Sequence, residues 1–173
     1  GGHRRFRRDD LEQWLETRQT PPPAEVQMLI QSAMGKMRLH IGDGEMGKLD
    51  WYNDISEEGH AVMRRMGRQI MEMLQNYLAD RYDSDEDDER VRAFGREYAV
   101  VLMKEGLSLY EVMQGFLLFA DFLNESALNI VEVVNVRPPT EWLNLLRMVR
   151  HFINEMLLGL TEAYGQLKGE SET

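Results

Sequence analysis

The chain has 173 residues, with 30 acidic and 20 basic side chains, a formal net charge of -10 and no cysteine. That length suits one domain with a sizeable core, the charge sets the body against phosphate backbones, and the missing thiols exclude disulfides, cysteine nucleophiles and zinc–cysteine sites. No apolar run reaches the roughly 18–20 residues of a membrane span and no signal peptide is visible, so a cytoplasmic chain without membrane contact is expected.

Residues 1–8 are basic and turn-like, with Arg4, Arg5, Arg7 and Arg8 and no acid. Asp9 or Asp10 caps a short helix to about Thr17 that carries Leu11, Trp14 and Leu15 on one face. Three prolines, Pro21 to Pro23, then favour a stiff extended segment, so residues 18–23 read as a hinge. Val26, Leu29, Ile30, Ala33 and Met37 have helical spacing over residues 24–39. Residues 40–55 are ambiguous, because Gly42, Gly44 and Gly47 interrupt any long pattern.

Four long helices follow. The first spans about residues 56–81, with Met63, Met66, Ile70, Met73, Leu74 and Tyr77 on its apolar face. The second begins after Ser84, where acids at 85–89 suit the positive end of a helix dipole, and Gly106 ends it. The third opens on a capping box, Ser108 to Glu111, and runs to about residue 136. Its stretch 116–123 is apolar nearly all round apart from Asp121, as in a helix central to its fold or buried in an oligomer. Pro138 and Pro139 break the chain, Thr140 caps the fourth helix, and apolar spacing continues to about Leu167. The expected fold is all-α: an antiparallel bundle of four long helices plus shorter N-terminal helices, with a globin-like arrangement as a variant. The organisation is 1–17, 18–23 as hinge, 24–167 as helical body and 168–173 as tail.

Chemical motifs are incomplete. GDGEMGKL, residues 42–49, matches most of a phosphate-binding loop, but Leu49 stands where a hydroxyl holds magnesium, and Asp43 and Glu45 oppose phosphate. Asp83, Asp85 and Asp87 begin like a calcium loop, yet Asp88 replaces its glycine and Phe94 its closing glutamate. Glu57 and His60 form half of a di-iron motif, without a second copy. His60 and His151 are the only support for a haem or metal sensor. Twelve methionines, among them Met63, Met66, Met71 and Met73 on one helix, are core filler or a surface that repacks around a ligand or partner. No catalytic constellation, metal site or cofactor site follows from spacing, so the chain is expected not to be an enzyme.

The opening GGHRRFRRDDLEQWLE resembles the end of a MerR or excisionase-type winged helix-turn-helix. The resemblance implies a wing turn at Gly1 and Gly2, with His3, Arg4, Arg5, Arg7 and Arg8 toward DNA and Phe6 packed on the DNA-binding domain. The recognition helix of that family lies upstream of the wing. The stretch EGLSLYEVMQGFLLFADFL, residues 105–123, is similar to the N-terminal sensor domain of RsbR-type co-antagonists, which implies a dimeric helical domain that senses or binds partners. The combined expectation is the sensor and dimerisation region of a DNA-binding transcriptional regulator, with a homodimer interface at Leu117, Leu118, Phe119 and Phe122. The alternative is a partner-switching domain that binds regulatory proteins.

Overall fold

The computed structural model describes residues 24–42, 46–79, 85–133 and 139–171. The expected wing, its helix and the hinge lie outside the described residues. So do Asp43, Glu45 and Asp83 of the two incomplete motifs. The elements are α1 (Ala24–Gly42), a short 3-10 turn (Met46–Lys48), α2 (Asp50–Asp54), α3 (Glu57–Ala79), α4 (Asp85–Lys104), α5 (Leu109–Val133) and α6 (Pro139–Ser171). Among the described residues there is no strand, and no helix is long and apolar enough to cross a membrane. The all-α expectation holds.

Local chemistry explains where the helices start and stop. Ser56 accepts the Gly59 amide at 2.9 Å and caps α3, while its hydroxyl donates to Glu105 Oε2 at 2.8 Å. Four acids fill the first turn of α4. At its other end Gly106 takes φ +81°, a backbone that costs glycine little. The Leu107 and Gly106 amides then reach back to the carbonyls of Leu102 (3.2 Å) and Met103 (3.0 Å), satisfying the last turn.

At the start of α5 the Glu111 carboxylate accepts the Ser108 amide and hydroxyl, each at 2.7 Å. Those bonds hold the Glu111 carboxyl below its ordinary range. A depressed carboxyl stabilises the fold above its unfolded pKa, and the contribution disappears as pH falls through the folded value. Glu111→Gln should therefore lower the melting temperature at pH 7, and the difference from the parent should close on acidification. Melting curves across pH 7 to 3 check this; a constant difference would refute the cap. The fourth long helix starts at Pro139 rather than after Thr140. Proline's fixed φ suits a first helical position.

The core joins all six helices' apolar faces or a part of them. Leu29, Leu74, Leu123, Phe152, Met156 and Leu160 are fully buried, and Phe152 meets Tyr77 edge to face at 5.4 Å. α1 packs antiparallel on α5: Lys36 bonds Glu125 at 2.9 Å, and one turn on, His40 lies 4.5 Å from the Phe122 ring. The short connections lead one to expect antiparallel neighbours throughout, but α4 pairs most extensively with α6, not with α5. α4 and α6 run parallel, since Asp88, Arg92 and Arg96 meet His151, Glu155 and Glu162 in ascending order. Two glycines permit this pairing. A Cβ on Gly95 would lie 2.5 Å from the Met156 carbonyl oxygen, and one on Gly159 would overlap the Arg92 carbonyl.

Candidate functional site

An apolar cavity of about 310 Å³ opens between α1, α2, α3 and α5. Its walls follow from the helical periodicity of each element. α1 contributes Met34 and Met37, the 3-10 turn contributes Met46, and α3 contributes Met63, Ile70 and Met71. Val112, Phe116 and Phe119 of α5 face them, with Tyr98 and Leu102 of α4 and Leu160 of α6 at the base. The unbranched thioether side chains give these walls a soft, adaptable lining.

Two glycines shape the space. Gly115 has no side chain where a Cβ would stand 3.1 Å from the Trp51 ring, so Trp51 lies directly against α5. Gly67 lines the cavity on α3, and nothing stands within 4 Å of the place its Cβ would occupy. That position is open volume in the middle of a helix.

The polar groups of the cavity are few. Trp51 is 7% exposed, and its indole Nε1 is buried without an acceptor among the described residues. Desolvation, with a smaller contribution from Tyr52, pushes the Tyr98 phenol up to about 12, so it keeps its proton at neutral pH. His60 donates from Nε2 to the Tyr52 carbonyl oxygen at 2.9 Å, and its ring stacks at a tilt on Tyr52, centroids 4.5 Å apart. That bond ties α2 to α3. Arg38, Arg64 and Arg68 also line the cavity and are exposed, which places them at its mouth. None of the three makes an ion pair among the described residues.

A second polar group lies between α4 and α6, away from the cavity. His151 Nε2 donates to Asp88 Oδ2 at 3.1 Å, and its Nδ1 is 3.9 Å from Glu155 Oε1. Tyr77 Oη donates to the other Asp88 oxygen at 3.4 Å. Glu155 is only 5% exposed and bonds the Arg92 guanidinium. That bond, against the cost of desolvation, raises the Arg92 pKa. Asp88, His151 and Glu155 bring their ligand-type atoms within 4.8 Å of one another. The neighbouring Arg92 cation already neutralises Glu155, so the group has the chemistry of an interhelical tie. Here the structure joins His151 to Asp88 across 63 residues, a pairing that spacing along one helix does not reveal.

The remaining sequence candidates are dispersed. His3, Arg4, Arg5, Arg7 and Arg8 lie outside the described residues. Leu117 is 55% exposed on the outer side of α5, Leu118 is half-buried, Phe119 lines the cavity, and Phe122 is buried under His40. Met63 and Met71 line the cavity, while Met66 is buried and Met73 packs on the core. Gly42 ends α1, and Gly47 and Lys48 sit in the 3-10 turn, so a helix stands where a phosphate loop has a strand. Asp85 and Asp87 occupy the first turn of α4. Sequence reasoning missed Trp51, Gly67, Gly115 and the three arginines. The one available signal was Arg64 and Arg68, a turn apart on a helix whose methionines were already marked as adaptable.

No family model, no curated protein and no solved structure matches the chain.

Proposed function

We propose that this chain is the sensor and dimerisation region of a DNA-binding transcriptional regulator, and that a small apolar ligand in the α1–α3–α5 cavity is the signal. The observation that carries the sensing half is the cavity: preformed, methionine-lined, within the 300–1,000 Å³ range of ligand pockets, and bounded by a buried indole donor with no acceptor among the described residues. The DNA-binding half rests on the sequence GGHRRFRRDDLEQWLE and its resemblance to the end of a winged helix-turn-helix. Ligand occupancy would repack the wall formed by α2 and α3 and so alter the spacing of two heads across the hinge at residues 18–23.

Calorimetric titration with decanol tests the sensor. One molecule is expected to bind per chain, saturably; heats that never saturate would leave the cavity without a role in binding.

The DNA contact is tested in a protein extended upstream of Gly1. Arg4→Ala with Arg5→Ala should weaken specific and scrambled duplexes alike and reduce the log–log salt slope by about 1.8 per chain, since two phosphate contacts are lost. Unchanged affinity for both duplexes would reduce the stretch to an incidental basic arm.

Dimerisation is supported by the outer face of α5, where Tyr110 is 72%, Leu117 55% and Leu128 56% exposed. Light scattering at tens of micromolar is expected to give twice the chain mass, falling to one chain mass in a Leu117→Glu, Leu128→Glu variant. A monomeric parent protein would exclude the dimer.

A further inference from the structure

The cavity's role as a ligand site, proposed above, is the premise here. We infer that its ligand is an amphipathic anion, with an apolar body among the methionines and aromatic rings and a carboxylate at the mouth, held by Arg64 and Arg68 of α3 and Arg38 of α1.

Acids outnumber basic residues 30 to 20 in this chain, yet among the described residues three arginines and no acid line the cavity. Four cations away from the cavity meet carboxylates: Lys36 meets Glu125, Arg90 meets Asp87, Arg92 meets Glu155, and Arg96 meets Glu89 and Glu162. Arg38, Arg64 and Arg68 make no ion pair among the described residues, which is also true of Arg65, Lys104, Arg147 and Arg150; of these seven, Arg38, Arg64 and Arg68 line the cavity. Arg64 and Arg68 lie four residues apart, hence one above the other on α3, and Arg38 faces the same space from α1. Planar guanidinium forks match the two oxygens of a carboxylate, and the pairing is strengthened beside a low-dielectric cavity.

The interior supports the same ligand. Its walls are apolar, so the body must be apolar too. An indole N–H buried without an acceptor is costly, and a ligand oxygen near Trp51 would satisfy it. Tyr98, which keeps its proton, adds no negative charge to repel an anion. A cationic ligand would meet three like charges at the mouth.

The test uses the whole chain and three probes of equal tail length: decanoate, decanol and decyltrimethylammonium, titrated calorimetrically at pH 7.5 and low salt. Decanoate should bind one per chain, at least about tenfold more tightly than decanol, and the ammonium should not bind. In Arg64→Gln, Arg68→Gln, decanoate should fall to the decanol level while decanol binding is unchanged. Equal affinity for decanoate and decanol in the parent protein overturns the anion assignment, and a decanoate preference that survives in the double variant overturns the placement of the carboxylate on Arg64 and Arg68; either result leaves the cavity as a binding site. Failure of all three probes overturns the cavity reading itself. Should the double variant not fold, the ranking of the three probes on the parent protein still decides the matter.

Discussion

Gly159→Ala is expected to destabilise the chain by about 2–3 kcal/mol, the cost of forcing extra volume into a packed contact. The new methyl would overlap the Arg92 carbonyl oxygen, which is backbone and cannot rotate away as a side chain does. Relief requires α4 and α6 to separate, which loosens the fully buried Met156 and Leu160 and the bond between Arg92 and Glu155. For a domain of this size the melting temperature should fall by roughly 4–12 °C. Gly95→Ala, facing the Met156 carbonyl, should act in the same direction. The control is Gly165→Ala on the same α6, where nothing stands within 4 Å of the added methyl. There the better helix propensity of alanine should raise stability by up to about 1 kcal/mol. Equal melting temperatures for Gly159→Ala and the parent would mean that the two helices do not cross at these glycines.

Gly67→Leu is expected to have two effects of opposite sign. It should stabilise the protein by about 1–2 kcal/mol, from helix propensity and from apolar surface taken out of water. It should also abolish decanol binding, because the leucine side chain would occupy the cavity that Gly67 lines. A variant that loses binding by unfolding would be less stable, so the pairing of higher stability with lost binding identifies filling. Gly35→Ala provides the comparison: it sits on α1 with nothing within 4 Å of its added methyl and does not line the cavity. It should gain stability and keep binding. Retained decanol affinity in Gly67→Leu would place the ligand elsewhere.

Much of the helical framework was legible because its signals are local. The α5 capping box, the acids opening α4 and the glycine closing it each act within a turn, so spacing along the chain suffices to find them. The methionine run on α3 was also visible, and its two readings, core and adaptable surface, overlap: Met66 and Met71 are buried, and Met71 together with the partly buried Met63 lines the cavity. The cavity was not legible. It depends on Gly115 admitting Trp51, on Gly67 leaving volume, and on Arg38 meeting Arg64 and Arg68 from another helix. No single-helix period encodes those coincidences. The pairing of α4 with α6 was hidden for the same reason. Short connections suggest antiparallel neighbours, but two facing glycines let parallel helices approach more closely than either approaches the helix between them in the chain.

That parallel pair bears on how the protein comes to be folded. The tie between Arg92 and Glu155 spans 63 residues of sequence, and closing a flexible loop of that length costs about 3.7 kcal/mol in chain entropy, beyond a constant. The most extensive interface therefore rewards the chain only after the long α5 has been traversed. A growing chain that has not yet reached α6 presents a helix with Gly95 bare and Arg92 without its Glu155 partner. Contacts of such separation favour slow folding in one cooperative step over assembly piece by piece. The same feature makes α6 the element whose docking completes the molecule, so that the cavity, with Leu160 at its base, gains its floor at the end of folding.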